Sequence, residues 1–300
     1  GVQTCALPIY NGHFKAEGRD VEISAGKGSL DAIPKVATGK FPMGFADINS
    51  LIKFLDKNPG APVTAVMMIY DKPPFAVVGR ASQGVSKPKD LEGRVLGAPP
   101  PDGAWAQFPA FASANGLDVS KIKVQPVGFP TREPMLKEGK VDAITGFSFS
   151  SYLNLVRLGV PEDDIKVLLM ADYGLSLYGN AIIVNTNFAK GNAAKVTGFL
   201  RAVAKGWKDV IADPAKGAAM VGKRNPAADV ALETRRLKLS IDANVVTDYT
   251  KANGMGNVDK ARMKKAMMQL GQNYKFSNKP DMSKIFTDAY LPKDGSLKLN

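Results

Sequence analysis

Short apolar runs alternate with segments of helical periodicity along the first part of the chain. Residues 63–70 (VTAVMMIY) form the longest clean apolar run and predict a buried strand. Residues 28–40 carry apolar side chains at helical spacing, and Pro34 is expected to shorten or kink that helix. The alternation predicts a mostly parallel sheet with right-handed crossovers. Further strands of this block are predicted at 20–24, 41–47 and 75–80.

A second block repeats this alternation, and helices follow it. Residues 94–98 (RVLGA) predict the first strand of the new block. A helix is expected after Asp102, its predicted N-cap, and it should end before Gly116. Beyond about residue 187 the periodicity is helical, so the chain should hold two α/β blocks and a helical tail. Further strands are predicted at 121–128, 141–147, 165–172 and 177–185.

One motif occurs once in each block. Residues 37–50 (ATGKFPMGFADINS) and 138–151 (EGKVDAITGFSFSS) both run from Gly-Lys through an apolar segment to small polar residues. A predicted helix follows each motif, with Asn49 or Ser50 and Ser148 or Ser150 as the expected N-caps. Ligands of open α/β sheets bind beyond the carboxyl ends of strands. The motif therefore predicts two lobes that hold one ligand in a cleft; chance recurrence of such strands is the alternative.

Composition narrows the class of protein. The 300 residues are 45% hydrophobic, and no apolar run approaches the ~18 residues of a membrane-spanning helix. One cysteine excludes an internal disulfide, which fits the cytosol and is compatible with a bacterial periplasm. One histidine excludes multi-histidine metal sites and weakens a Ser-His-Asp interpretation. The net charge of +12 is spread along the chain, which favours a solvated basic surface over a nucleic-acid site.

Five segments carry a resemblance to a known family. The most specific are 87–94 (KPKDLEGR) with the strand after it, and 139–146 (GKVDAITG). Together with 37–54, 61–78 and 198–217, they resemble the ABC-transporter solute-binding proteins of the nitrate, sulfonate, taurine and thiamine-pyrimidine-precursor group. The resemblance runs from about Tyr10 to about Tyr290.

The resemblance implies a periplasmic-binding-protein-like fold of type II. Lobe one would be residues 1–80 and 187–300, lobe two would be residues 81–186, and two crossings would permit hinge closure. The implied function is a periplasmic, monomeric receptor without a cofactor that delivers a small molecule to the permease and ATPase of an importer. A sensor or scavenger of the same fold is an alternative.

An enzyme is the other alternative. Part of this fold group makes the thiamine pyrimidine, and that resemblance would imply a lysine holding pyridoxal phosphate, a substrate histidine and a cysteine-rich iron site. The chain has one histidine, His13, and one cysteine, Cys5, so a non-enzymatic protein is expected.

The beginning of the chain departs from the family. Residues 1–9 (GVQTCALPI) resemble a translated sequencing adapter and are expected to be non-native. Residues 10–23 resemble the helix and strand that, in the family, come after a signal peptide, a first strand and its loop. We therefore expect that strand and loop, which form part of the pocket wall, to be absent or replaced.

Candidate ligand-binding residues lie at predicted strand ends. In lobe one they are Ser29, Asp47, Asn49 and Tyr70. In lobe two they are Asp102, Trp105, Thr145, Gly146, Phe147 and Tyr178. The resemblance supports Ser29 as a ligand-facing hydroxyl, while Asp47 can either accept from a ligand amine or cap the following helix. Trp105 can either stack on a planar ligand or belong to the core.

The candidate set predicts a small planar polar ligand, heteroaromatic or carboxylated. Carboxylates at Asp47 and Asp102 would repel an oxyanion but accept from ring N–H or amino groups. Aromatic faces can sandwich a flat ring. If both acids are helix caps instead, the remaining donors would suit a sulfonate.

Overall fold

The computed structural model describes residues 12–224, 226, 228–278 and 281–299. The expectation that residues 1–9 are non-native concerns positions outside the described residues. Eight strands are present in the described part: β1 Met43–Asp47, β2 Val63–Met68, β3 Phe75–Arg80, β4 Val95–Ala98, β5 Lys123–Pro126, β6 Ala143–Phe147, β7 Ile165–Leu169 and β8 Asn180–Asn185.

Helices connect these strands and make up most of the C-terminal part. The α-helices are α1 His13–Ala16, α2 Ser29–Ala37, α3 Ile48–Lys57, α4 Gly103–Ala114, α5 Arg132–Lys137, α6 Ser148–Arg157, α7 Thr186–Gly191, α8 Ala193–Ala212, α9 Pro214–Arg224, α10 Val230–Ser240, α11 Asp248–Asn253, α12 Lys260–Asn273 and α13 Met282–Ile285. Among the described residues, no helix is both long and apolar enough to span a bilayer.

The chain divides into two compact units. Unit 1 contains the described residues up to Asp71, then Asn180–Val258, and the described residues from Ser277 onward. Unit 2 contains Lys72–Gly179 and Asp259–Phe276. Each unit has its own sheet, and the strands and helices alternate as the apolar pattern predicts. The protein is therefore of the α/β class, as the apolar pattern predicts.

Unit 1 is built on the three-stranded sheet β1-β8-β2. Strand β8 runs antiparallel to both neighbours, pairing Asp47 with Asn180 at one end and Val63 with Asn185 at the other. The prediction of a mostly parallel sheet is wrong here, because β8, which comes late in the chain, lies between β1 and β2. All six residues of β2 and of β8 are buried, so this sheet is covered on both faces.

Unit 2 is built on the five-stranded sheet β5-β4-β6-β3-β7. Strand β4 is parallel to β5 and β6, whereas β3 is antiparallel to β6 and β7. The sheet is therefore mixed, because the strand that enters the unit runs against its neighbours. Leu136, Ile144 and Leu155, from α5, β6 and α6, pack in one buried cluster with residues of β3.

The unit boundaries differ from the predicted lobe boundaries at residues 80 and 186. Strand β3 belongs to unit 2 because it pairs with β6 and β7, and β8 belongs to unit 1 because it pairs with β1 and β2. Helix α12 belongs to unit 2, where it packs on α4. The chain thus changes unit after Asp71, Gly179, Val258 and Phe276, and the predicted lobes with their two crossings stay a prediction.

Three local predictions differ from the structure. Residues 20–24, predicted as a strand, are not assigned to a strand in the described part of the chain. Helix α3 begins two or three residues earlier than expected, because Asp47 rather than Asn49 or Ser50 is its N-cap. Likewise Phe147, not Ser148 or Ser150, is the N-cap of α6. By contrast, Asp102 caps α4 and Pro34 lies inside the short helix α2, both as predicted.

The repeated motif has one backbone geometry in both units. Helices α2 and α5 are each followed closely by a glycine of positive φ, Gly39 at 78° and Gly139 at 70°. The amide of each glycine donates to a carbonyl three residues earlier, at 3.0 and 3.2 Å. This left-handed turn is open to glycine at little steric cost. It turns the chain into β1 or β6, whose last residue then caps the next helix.

Candidate functional site

Asp47 ends β1 and caps α3 with both carboxylate oxygens. Its Oδ1 accepts from the Asn49 amide at 3.0 Å and from Asn49 Nδ2 at 2.7 Å. Its Oδ2 accepts from the Ser50 amide at 2.8 Å and from Ser50 Oγ at 2.7 Å. Burial raises the pKa of Asp47, although these hydrogen bonds oppose the shift. The geometry thus favours the cap interpretation of Asp47, with Asn49 as one of its donors, and the contact of either residue with a ligand stays a prediction.

Ser29 and Tyr70 lie beside this cap. Ser29 Oγ accepts from the Asp47 amide at 3.0 Å, and the residue is buried at the start of α2. Tyr70 is buried two residues beyond β2, edge-on to Phe45 with 5.6 Å between ring centroids. Asp71 follows it and accepts from Thr247 Oγ1 at 2.6 Å, so this acid is bound to the helical part of unit 1. The structure therefore brings Ser29 and Asp47 into direct contact.

Asn180 is a polar residue of this strand end that the sequence analysis did not select. It is the first residue of β8, directly opposite Asp47. Its main-chain oxygen accepts from the amides of Ile69 and Tyr70, at 3.1 and 3.0 Å. Its side chain is 6% exposed, and no described residue provides a partner for Oδ1. Only the register of β8, invisible in the sequence, places Asn180 here.

Asp102 is the corresponding buried acid of unit 2. It caps α4 by accepting from the Ala104 amide at 3.2 Å, and it accepts from Thr145 Oγ1 at 3.3 Å. Burial raises the pKa of Asp102, and the positive charge of Arg132, 3.8 Å away, opposes that rise. Both candidate acids are therefore helix caps. Their role as free acceptors for a ligand has no support from the geometry.

Arg132 and Glu133 form a buried ion pair in unit 2, and neither was predicted from the sequence as a site residue. Arg132 Nε lies 2.8 Å from Glu133 Oε1, and Arg132 Nη1 donates to the Thr145 carbonyl at 3.3 Å. Both residues are more than nine-tenths buried. The sequence showed only a charged pair at a helix start, which is ordinarily a solvated position. Its burial follows from the packing of α5 against β6.

Gly146 lies against this cluster with no room for a side chain. A Cβ at this position would lie 2.3 Å from Ser151 Oγ and 3.1 Å from Arg132 Nη1. Ser151 is fully buried, and its Oγ finds no hydrogen-bond partner among the described residues. Gly146, a candidate ligand-binding residue, therefore lets Ser151 and Arg132 lie close to the backbone, whereas its contact with a ligand stays a prediction.

Aromatic rings line the ends of β3 and β6. Phe147 is half-buried and its ring centroid lies 5.9 Å from that of Phe75, its cross-strand partner. Trp105 is half-buried on α4 and stacks on Phe108 at 5.6 Å, so it is only partly a core residue. These rings leave apolar faces that a planar molecule could contact.

Tyr178 is held differently from the other aromatic candidates. It is fully buried, and its hydroxyl accepts from the Asp259 amide at 2.8 Å. The Arg262 guanidinium lies 4.0 Å from its ring centroid. These contacts favour a structural role, in which Tyr178 fastens α12 to unit 2. The contribution of Tyr178 to a ligand site stays a prediction.

The groups of a thiamine-pyrimidine synthase are not brought together by the described residues. His13 lies on α1, where its Nε2 is 2.6 Å from Asp209 Oδ2 on α8. Cys5 is outside the described residues. Within residues 12–224, 226, 228–278 and 281–299, no three His, Cys, Asp or Glu side chains are placed to hold a metal ion. These residues therefore offer no ligand cluster for the iron site that the resemblance would imply.

Curated relatives of the chain include binding proteins and enzymes. It is 26% identical to riboflavin-binding protein RibY of Chloroflexus aurantiacus, over 94% of this chain and 80% of that protein. It is 26% identical to the formylaminopyrimidine-binding protein of Halalkalibacterium halodurans, over 69% of this chain and 62% of the relative. It is 28% identical to the Saccharomyces cerevisiae 4-amino-5-hydroxymethyl-2-methylpyrimidine phosphate synthase THI13, over 70% and 64%.

A solved structure shows the same fold. The alkanesulfonate-binding protein SsuA of Xanthomonas axonopodis pv. citri, bound to MOPS, matches with a TM-score of 0.71 at 13% identity. The match covers 89% of this chain and 87% of that one. The two sheets and their helices thus have the periplasmic-binding-protein fold. The family model described as NMT1/THI5 like matches residues 7–217, more than half of the chain. The chain therefore belongs to the NMT1/THI5-like family.

Proposed function

We propose that this protein is the solute-binding receptor of an ABC importer, located outside the cytoplasm, with a permease and an ATPase as its partners. The observation that carries the proposal is the motif built twice, once in each unit. Each copy ends in a strand whose last residue begins a helix, at Asp47 and Phe147. Family relatives named for binding riboflavin and formylaminopyrimidine support a receptor.

The ligand that fits best is a small neutral heteroaromatic molecule. Charge compensation supports this choice over a bare oxyanion. The buried Arg132 guanidinium is already matched by Glu133 at 2.8 Å and Asp102 at 3.8 Å. In unit 1, burial lowers the pKa of the Lys53 ammonium, and the negative charge of the Asp47 carboxylate opposes that shift. An oxyanion would have to compete with these carboxylates for each cation.

The reason for a planar ligand thus differs from the one that the sequence offered. Both acids are caps, the condition under which the sequence analysis favoured a sulfonate. The planar proposal now rests on the half-buried rings of Phe147 and Trp105 and on the charge compensation. Aromatic faces contribute through contact area and stacking, which a flat ring exploits better than a tetrahedral sulfonate.

Native mass spectrometry of protein purified without denaturation tests the receptor function. We expect a retained small molecule, released on unfolding. A thermal-shift screen with riboflavin, formylaminopyrimidine and MOPS tests the ligand class. Ligand at ~100 times its dissociation constant should add roughly 2.7 kcal/mol to stability. Stabilisation by MOPS alone would refute the planar ligand, and the absence of both a retained molecule and any stabilisation would refute the receptor.

An enzyme of the synthase type is the second candidate, supported by the relatives named as pyrimidine phosphate synthases. The pairing of His13 with Asp209 on α8 argues against it, because this histidine is engaged in attaching α1. Incubation of each probe with the purified protein, followed by mass analysis of the probe, separates the two. Recovery of unchanged probe is expected of a receptor, whereas catalytic turnover would establish the enzyme.

A further inference from the structure

We propose that Asn180 is a ligand-recognising residue of unit 1, and that its amide binds the edge of a planar heteroaromatic ligand that carries a ring N–H beside a carbonyl. The inference rests on the proposed receptor function and names the chemical edge that this receptor reads. It is carried by the position of Asn180 in the sheet and by a comparison within strand β8.

The position of Asn180 is fixed by the backbone. It opposes Asp47 in the antiparallel register, and directly opposed residues present their side chains on the same face of a sheet. Its carbonyl oxygen accepts from the amides of Ile69 and Tyr70, which directly follow strand β2. Because the main chain is held from both sides, the Asn180 side chain has a defined direction at the strand end that carries Ser29 and Asp47.

Strand β8 begins and ends with a buried asparagine, and the two are used differently. Asn185 Oδ1 accepts from the amides of Asn187 and Phe188, and its Nδ2 donates to the carbonyls of Val36 and Ala37. The amide of Asn185 is therefore fully used inside the protein.

Asn180 is as buried as Asn185, at 6% against 5% exposed. Its Oδ1 is nevertheless shielded from solvent and has no hydrogen-bond partner among the described residues. Buried polar groups in native proteins are nearly always partnered, so an exception calls for a partner that the chain itself does not supply. At the strand end where ligands of this sheet type bind, that partner is a ligand group.

The chemistry of an amide specifies the ligand edge. Asparagine offers an acceptor and a donor in one plane, without charge. This arrangement matches a ring N–H next to a carbonyl, or an amino group next to a ring nitrogen. A sulfonate has only acceptors and would leave Oδ1 of Asn180 unpaired, so the amide selects against it.

The test measures dissociation constants by titration calorimetry for the native full chain and for Asn180→Ala. The probes are riboflavin, its 3-methyl derivative, which lacks the imide N–H, and formylaminopyrimidine. We expect Asn180→Ala to weaken riboflavin binding about tenfold. The 3-methyl derivative should bind the native protein about tenfold more weakly than riboflavin, and Asn180→Ala should abolish that difference.

Two controls on the same sheet separate recognition from folding. Asn185→Ala should lower the unfolding midpoint in urea while the folded fraction binds riboflavin with the native constant. Thr64→Val removes another buried polar group without a described partner, at the opposite end of the sheet, and should change the constant less than about twofold. Asn180→Ala should show the reverse pattern: weakened binding with a nearly native unfolding midpoint.

Each other outcome decides against a specific statement. Native constants for riboflavin and formylaminopyrimidine in Asn180→Ala would overturn the role of Asn180 and leave the receptor function intact. Native protein that binds MOPS but neither planar probe would overturn the proposed ligand edge. A native chain that binds no probe and retains no molecule on purification would overturn the receptor function, and the role of Asn180 with it.

Discussion

The two copies of the repeated motif share a backbone and differ in the side chains at their ends. Strand β1 ends with Asp47 opposite Asn180, which makes a polar pair. Strand β6 ends with Phe147 opposite Phe75, which makes an aromatic pair. In both units, the last residue of the strand lies opposite the first residue of an antiparallel neighbour. The backbone therefore determines where each candidate site lies, and the terminal pair determines which part of a ligand it can contact.

The helices that follow are also stabilised differently. The carboxylate of Asp47 caps α3 with four hydrogen bonds. Within the described residues, Phe147 gives α6 no side-chain cap, and the Ser148 amide donates instead to the Pro74 carbonyl at 2.8 Å. Unit 1 thus uses a buried charge where unit 2 uses the main chain. The buried charges of unit 2 are those of Asp102 on one side and of Arg132 and Glu133 on α5 on the other.

The largest effect is expected from Arg132→Met, which removes the cation from that buried cluster. Glu133 and Asp102 would then be buried without their positive partner, and breaking such a pair typically costs about 3–5 kcal/mol. Urea unfolding at pH 7 measures the loss. A Trp207→Phe background leaves Trp105 as the only tryptophan, so that the fluorescence reports unit 2. Lys89→Met, at an exposed ion pair, should change stability by less than about 1 kcal/mol.

The pH dependence of this variant has a definite sign. Burial raises the pKa of Asp102 above 3.8, so the folded state binds its proton more tightly than the unfolded state does. Its contribution to stability is therefore present in acid and falls as pH rises through the raised pKa. Arg132 opposes that rise, so Arg132→Met should steepen the fall. A loss that is the same at pH 4 and pH 7 would contradict the assigned role of Arg132.

The next largest effect is expected from Asp47→Ala, the corresponding change in unit 1. It removes the N-cap of α3 and leaves the buried donors of Asn49 and Ser50 without their acceptor. Loss of a cap and of buried hydrogen bonds should cost about 2–4 kcal/mol, measured by urea unfolding with Trp207 as the only tryptophan. Asp47→Asn keeps one carbonyl acceptor and should lose less. Equal losses would show that the charge, and not the cap, stabilises this strand end.

Apolar periodicity and helix-start residues were sufficient to predict most elements of both units, including the helix around Pro34 and the N-cap at Asp102. It could not predict strand direction, because a run of buried residues such as β8 reads the same in either direction. The strand predicted at 20–24 rested on alternation over only five residues, and no strand is assigned there within the described part.

The candidate site, like the fold, could be predicted from the sequence only in part. Position at a strand end identified Asp47, Thr145 and Phe147, because the motif marks such ends. Asn180 became visible only through the sheet register, and Arg132 only through the burial of α5. Polar residues at helix starts are usually caps or solvated, so the sequence gives no local sign of such burial.

A smaller effect is expected where the two motifs differ by one methyl group. Unit 1 has Ala46 before the last residue of β1, whereas unit 2 has Gly146 before the last residue of β6. Gly146→Ala would place Cβ 2.3 Å from Ser151 Oγ, and such overpacking typically costs about 1–3 kcal/mol. Urea unfolding in the Trp207→Phe background measures the cost.

Ser151→Ala supplies the control for that change. It removes an Oγ that has no partner among the described residues, so alone it should be nearly neutral. Combined with Gly146→Ala, it should recover much of the lost stability. No recovery would mean that Arg132, 3.1 Å from the added Cβ, is the group that cannot move.

The smallest effect concerns the feature that the two motifs share. Gly39 and Gly139 have φ values of 78° and 70°, a region that costs an alanine about 1 kcal/mol or somewhat more. Gly39→Ala and Gly139→Ala should therefore lower stability by similar amounts, each measured by urea unfolding with the tryptophan of its own unit. An added Cβ lies 3.8 Å from Asn185 Nδ2 in the first case and 3.3 Å from Gln83 Nε2 in the second. Because Gln83 contacts it only through the end of a flexible side chain, the second loss should exceed the first by no more than a few tenths of a kcal/mol.

Gly26→Ala, at a glycine without positive φ whose added Cβ would meet no atom within 4 Å, should not destabilise the protein. A clearly unequal pair would mean that the backbone of the two motifs is not under the same constraint, and that their likeness ends with the order of their elements.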